Sequence, residues 1–190
     1  LGLDLHVVRL DGWRRSDFYD AGGLLWVNPS PNMRNLNQAL LYPGIGLLET
    51  TNLSVGRGTD TPFEVLGAPW IEATLLAREL NRRGLPGIRF VPLAFTPGSS
   101  KHRGKRCGGV QMVITDRSGL RPVHTGLEIA RQLRRLYRDQ WDVANLNRLL
   151  ANRRTRDAVL QGKAVDEIEV VFRPELAEFL KRRRPFLLYE

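Results

Sequence analysis

The sequence predicts an α+β fold, a mixed sheet carrying several helices. Three observations lead there. Residues 125–138 and 70–83 carry apolar side chains at helical spacing, and residues 88–95 and 110–115 read as strands. The strands and helices do not alternate steadily, as a doubly wound sheet would require. A polar, glycine-containing segment over residues 49–69 has almost no periodicity and belongs to neither kind of element. With 190 residues the chain has the length of one domain.

In order, residues 3–10 alternate in part (Leu3, Leu5 and Val7 against Val8 and Leu10) and predict a strand covered on both faces. Residues 11–35 are rich in Gly, Asp, Asn, Ser and Pro and form a long loop holding Trp13 and Trp26. Residues 36–42 predict a short helix, with Asn35 as N-cap and Pro43 as its stop. In helix 70–83 Pro69 stands at the start, Ile71, Leu75, Leu76 and Leu80 form the apolar stripe, and Glu79 and Arg83 are an i,i+4 pair. Gly84 and Pro86 end it. Helix 125–138 sets Ile129, Ala130, Leu133, Leu136 and Tyr137 against Arg131, Arg134, Arg135 and Arg138. Shorter helices are expected at 145–151 and 155–161, a last one from Pro174 to about Arg184, and a terminal strand over 186–189.

Composition excludes several classes. Hydrophobic residues make up 42% and charged residues 26%, which is globular rather than disordered. No apolar run approaches the roughly 20 residues that span a bilayer. Asp4, His6 and Arg9 interrupt the first ten residues, unlike the apolar core of a signal peptide. A single cysteine, Cys107, excludes an internal disulfide, and His6, His102 and His124 lack ligand-like spacing, so no metal is expected. The formal net charge is +9, and the whole excess lies in residues 101–190, with 20 basic and 11 acidic side chains. A basic nucleic-acid-binding module is the rival reading, supported by the stripe Arg131, Arg134, Arg135 and Arg138 and by Lys101, Arg103, Lys105 and Arg106. Against it, no aromatic side chains are interleaved for base stacking. The basic residues are also 25 Arg to 4 Lys, a bias that a GC-rich genome produces by itself.

Catalytic motifs of the common kinds are absent. Residues 98–106 read G-S-S-K-H-R-G-K-R, one residue too long for a phosphate loop and with Arg106 where Ser or Thr would bind magnesium. Gly44-Ile45-Gly46 lacks the third glycine of a dinucleotide fingerprint. The informative segment lies between Glu49 and Glu64, two carboxylates flanking Thr, Asn, Ser, Gly and Arg. Gly56 and Gly58 bracket Arg57, letting the backbone turn tightly beneath a planar guanidinium fork suited to a carboxylate or phosphate. Asn32 and Asn52 can each donate and accept, as sugar hydroxyls and acetamido groups require. Read from the residues alone, Arg57 either serves a ligand or braces its own loop against Glu49 or Glu64.

The string L-L-E-T-T-N-L-S-V-G-R-G-T-D-T-P-F-E-V-L-G-A-P-W-I, residues 47–71, resembles the signature of the NamZ-type exo-β-N-acetylmuramidases. Gly12-Trp13-Arg14-Arg15, Pro29-Ser30-Pro31-Asn32-Met33, Cys107-Gly108-Gly109-Val110-Gln111, Thr115-Asp116-Arg117 and Leu187-Leu188-Tyr189 also match, in order along the chain. The resemblance implies a two-domain enzyme of which residues 1–190 are the C-terminal α+β domain, containing a leading strand and loop (1–35) and the signature loop (49–64). The Rossmann-like N-terminal domain, which carries the family's proposed catalytic glutamate, would lie outside this chain. The implied activity is release of terminal N-acetylmuramic acid from the non-reducing ends of peptidoglycan fragments, without cofactor, by an exported bacterial protein. On that footing Arg57 is the candidate for the lactyl carboxylate. Asn32, Asn52 and Thr59 are candidates for hydroxyl and acetamido contacts. Glu49 and Glu64 are candidates for positioning or, secondarily, for a second catalytic carboxylate. Thr50 stands where the family has glycine, so a positive φ is not expected there. The basic loop 97–106 matches the family poorly, and no role is carried onto it.

Overall fold

The computed structural model describes residues 2–189; Leu1 and Glu190, which open and close the expected domain, lie outside the described residues. Among the described residues are six α-helices and a three-stranded sheet: α1 (Leu36–Ile45), β1 (Val65–Ala68), α2 (Ala73–Asn81), β2 (Ile88–Phe95), β3 (Cys107–Ile114), α3 (Pro122–Leu136), α4 (Asn147–Leu150), α5 (Arg153–Leu160) and α6 (Val165–Arg183). The strand order is β1-β3-β2, with β3 antiparallel to both neighbours. The sheet is therefore antiparallel throughout rather than mixed. β2 and β3 are consecutive and pair directly, while α2 carries the chain across so that β1 and β2 flank β3 without pairing with each other.

β2 puts Ile88 and Phe90 into the core and leaves Arg89 and Val91 exposed. Pro92 is tolerated because β2 is an edge strand with one side free of partners. β1 is buried at all four positions, which removes the alternation that would have revealed it in the sequence. α2 packs on the sheet, and α1 crosses α3 at a glycine-to-glycine contact. A Cβ on Gly44 would stand 1.9 Å from the Pro122 carbonyl oxygen, and one on Gly126 would stand 2.4 Å from the Gly44 oxygen. The core joins Leu41, Leu53, Phe63, Leu76, Leu133 and Trp141 in one continuous cluster.

Several sequence expectations shift. Residues 3–10 form no strand and are exposed, because no segment among the described residues forms a ladder with their backbone. Residues 186–189 are likewise not a strand: a 3-10 turn at Arg184–Phe186 is followed by irregular chain, and Tyr189 packs edge-on against Trp13 at 4.9 Å. The last helix starts at Val165, where Glu167 accepts the Ala164 N–H at 2.9 Å, and Pro174 lies inside it. α1 likewise runs through Pro43 to Ile45. α2 begins at Ala73, capped by the Glu72 carboxylate on the Thr74 and Leu75 N–H groups, so Pro69 lies outside it. Arg83 reaches Glu128 at 3.3 Å rather than Glu79. No helix among the described residues is long and apolar enough to cross a membrane.

Candidate functional site

Residues 49–64 fold on the free edge of β1. Ser54 and Gly67 exchange two backbone hydrogen bonds of 2.9 Å, which extends the sheet by one bridge. Leu53, Val55 and Phe63 anchor the loop in the core. The short polar side chains close its turns. Thr51 Oγ1 donates to the Leu48 carbonyl at 2.8 Å, Thr59 Oγ1 donates to Gly56 at 2.7 Å, and Thr59 Oγ1 accepts the Thr61 N–H at 3.2 Å. Gly56 and Gly58 have φ of +81° and +85°, as the bracketing glycines suggested.

The two carboxylates have different surroundings. Glu49 approaches Arg57, with Oε1 2.5 Å from Nε, and the two side chains are 22% and 33% exposed. The Arg57 Nε–H is not aimed at that oxygen and has no hydrogen-bond acceptor, so the contact is an ion pair without an aligned bond. The guanidinium carbon lies 5.3 Å from the centre of the Phe63 ring, a cation–π contact. Glu64 Oε1 accepts from Asn35 Nδ2 at 2.9 Å and from Gln38 Nε2 at 2.8 Å. Asn35 thus caps α1 through Oδ1, bonded to the Gln38 N–H at 2.9 Å, and holds Glu64 through its amide nitrogen. Gln38, fully buried, also accepts the Arg34 N–H at 2.6 Å.

The loop joining β2 to β3 clasps the signature loop. Gly98 N–H donates to the Gly58 carbonyl at 2.8 Å, Lys101 Nζ donates to the Glu49 carbonyl, and His102 Nε2 lies 2.7 Å from the Asn52 carbonyl. A Cβ on Gly58 would fall 2.4 Å from the Ser99 oxygen, so this approach requires glycine. Burial pushes the Lys101 ammonium below its ordinary pKa, Glu49 opposes that shift, and Arg57 adds to it. Loop 97–106, to which no role was carried, therefore lies at the centre of the arrangement. Lys101 and His102 are the residues that sequence reasoning missed, and the signal that could have found them was a histidine and a lysine between glycines in a connection far longer than a hairpin needs.

Arg57 meets Glu49, one of its two expected partners. Asn52 is committed to a neighbouring loop: Nδ2 donates to the Gln140 carbonyl at 2.8 Å and Oδ1 accepts the Asp142 N–H at 2.9 Å. Thr59 is committed to its own turn. Asn32 lies half-buried in the turn bridged by Ser30 and Met33, next to Arg34, which is 3.8 Å from Asp60. Thr50 has no positive φ, and its hydroxyl donates to the Asn145 carbonyl at 2.7 Å.

Three of the four stripe arginines lie on α3 and have local partners, while Arg138 stands past the end of the helix. Arg131 meets Glu128 at 3.1 Å, Arg135 meets Glu79 at 2.5 Å, and Arg134 donates to the Leu160 carbonyl at 3.4 Å. Elsewhere, His124, Asp166 and Glu169 bring possible ligand atoms within 4.8 Å of one another. Glu169 there is shared between His124 Nδ1 and Arg121 Nη2, each at 2.8 Å, so its carboxylate is already engaged by side chains of this chain.

Fold and site together define an α+β domain in which a self-braced polar loop presents two carboxylates and Arg57, and the loop between β2 and β3 brings Lys101 against it. The family profile described as exo-β-N-acetylmuramidase NamZ, C-terminal, matches residues 40–189, and the corresponding N-terminal profile matches residues 1–37. The chain belongs to the exo-β-N-acetylmuramidase NamZ family. It is 39% identical over its whole length to the peptidoglycan β-N-acetylmuramidase NamZ of Bacillus subtilis strain 168, of which it covers 46%. Its fold resembles two DUF1343 family crystal structures from Bacteroides fragilis NCTC 9343, each 27% identical. One has a TM-score of 0.73 over 97% of this chain and 50% of its own, the other 0.65 over 86% and 44%. The chain thus spans about half the length of the relatives it matches.

Proposed function

We propose that this chain is the C-terminal part of a peptidoglycan-active glycoside hydrolase that releases N-acetylmuramic acid from non-reducing ends, and that it forms one wall of the active-site cleft. The observation that carries this reading is the grouping of Glu49 and Arg57 on a braced loop with Lys101 from the loop that clasps it, in a chain of this family. Muramic acid differs from glucosamine by a lactyl carboxylate, and a guanidinium held at fixed orientation discriminates such a group. Arg57 faces that carboxylate. Glu49 and Glu64 position it and shape the wall. Asn52 and Thr59 act through the backbone they hold, and Asn32 is left for a hydroxyl or acetamido contact. The main catalytic glutamate belongs to an N-terminal domain, and residues 1–37 belong with that domain rather than with the one described here. The high exposure of Val8, Leu25 and Val27, at 94%, 88% and 78%, supports a surface that the domain would cover. A cell-wall fragment as substrate supports an exported enzyme, periplasmic or extracellular.

The test is incubation of the full-length protein with a chromogenic β-N-acetylmuramide. Release of the chromophore, abolished when terminal muramic acid is replaced by N-acetylglucosamine, is expected. Equal turnover of both sugars, or of neither, would overturn the reading.

A further inference from the structure

Resting on the muramidase reading above, we propose that Lys101 is a specificity-determining residue that joins Arg57 in a two-cation subsite for the lactyl carboxylate. Charge is the first argument. Arg57 is already paired with Glu49, 2.5 Å away, and that pair alone is neutral. An incoming carboxylate would meet a site whose single cation is matched by a resident anion. Lys101 makes the group net positive. Its ammonium sits against the Glu49 carbonyl and close enough to Arg57 for the two charges to oppose each other. An ammonium has three donors, and the carbonyl takes one of them. A bound carboxylate would relieve the repulsion between the two cations while leaving Glu49 in place.

Backbone conformation is the second argument. Ser100 and His102, on either side of Lys101, have φ of +65° and +60°, values that side-chain-bearing residues adopt rarely. Such residues persist where their surroundings over-determine them, and they concentrate at ligand sites. Here the surroundings are visible. Gly98 bonds Gly58, Gly104 N–H bonds the Pro97 carbonyl at 2.8 Å, and His102 reaches Asn52. The loop is held at three points in a conformation that turns one lysine onto Glu49 and Arg57. Lys101 is half-buried and its two partners are partly exposed, so the cluster can be reached from solvent.

The experiment compares Lys101→Met, Lys101→Arg and wild type in the full-length protein. Two substrates are used: a chromogenic N-acetylmuramide and its neutral lactyl methyl ester. For Lys101→Met, kcat/KM on the acid should fall about 10- to 150-fold, the range for a lost hydrogen bond to a charged group. Turnover of the ester should stay within about twofold, since a neutral ester gains little from the cation. Lys101→Arg should recover most of the loss on the acid. If Lys101 only holds the loop, both substrates lose equally and the melting temperature falls with them, which overturns the proposal and leaves the muramidase reading standing. If wild type turns over neither substrate, the muramidase reading itself fails and takes this proposal with it.

Discussion

Gly58→Ala separates packing from conformational preference at the contact between the two site loops. An alanine at φ +85° carries the left-handed penalty of about 1–2 kcal/mol. Its Cβ would also lie 2.4 Å from the Ser99 oxygen and 2.6 Å from the Ser99 nitrogen, both backbone atoms that cannot rotate aside. The loops must part, and the 2.8 Å bond from Gly98 N–H to the Gly58 carbonyl goes with them. That bond contributes about 0.5–1.5 kcal/mol net. The expected loss is therefore about 1.5–3.5 kcal/mol, or roughly 3–14 °C in Tm for a chain of this size. Gly104→Ala is the control, since it has φ +69° but no atom within 4 Å of the added Cβ. It should show the conformational penalty alone. Thermal unfolding of the 190-residue chain measures both, and hydrogen exchange at the Gly98 amide shows whether the loops have parted. Equal losses in the two variants, with Gly98 still protected, would refute the steric reasoning.

Arg57→Lys in the full-length protein should lower kcat/KM on a chromogenic muramide roughly 5- to 150-fold, because lysine keeps the charge but loses the planar fork. Unchanged kcat/KM with a lowered melting temperature would return Arg57 to a bracing role. The 190-residue chain by itself should release no chromophore above a mock preparation, since one wall of a shared site lacks the groups facing it; measurable turnover would move the catalytic carboxylate onto Glu49 or Glu64. Glu79 is held below its ordinary pKa of 4.5 by the Arg135 hydrogen bond, with Arg82 and Arg78 behind it and burial opposing. A depressed carboxyl contributes stability above its unfolded pKa and loses it as pH falls through the folded value. Stability curves of wild type and Glu79→Gln should therefore stand apart at neutral pH and converge below about pH 4.5, while a constant gap down to acid unfolding would contradict the assignment.

What could be read from the sequence followed periodicity. The apolar stripe read over residues 125–138 gave the buried face of α3, including Ile129 and Leu133, with Tyr137 buried at its C-cap, and residues 88–95, read as a strand, are β2 at its observed limits. Asn35 was legible as a cap because capping is local, whereas its second bond, to Glu64, joins positions 29 residues apart and leaves no local trace. β1 was hidden by burial on both faces. The strand expected at residues 3–10 had the right pattern and lacked only a partner, which pattern alone does not supply. Within the site, the spacing of Gly56, Arg57 and Gly58 showed that a guanidinium would be presented, and the pairing with Glu49 was one of two alternatives it left open. Lys101 and His102 come from a loop some 50 residues away, brought in by the sheet.

The crossing of α1 over α3 is made by backbone on backbone, at Gly44 and Gly126. Most helix pairs meet through side chains that can change rotamer, and their spacing drifts by a methyl group at a time. This pair has no such play. α1 is a lever of about 15 Å pinned near one end, with Asn35 and Gln38 and their hold on Glu64 at the other. A larger residue at position 44 or 126 would swing the far end, so a change made beside α3 would be felt at the Glu64 carboxylate. The geometry on that side of the site is thus tied to a contact with no side chain in it, and Glu64, one residue before β1, answers to a helix crossing at the far end of α1.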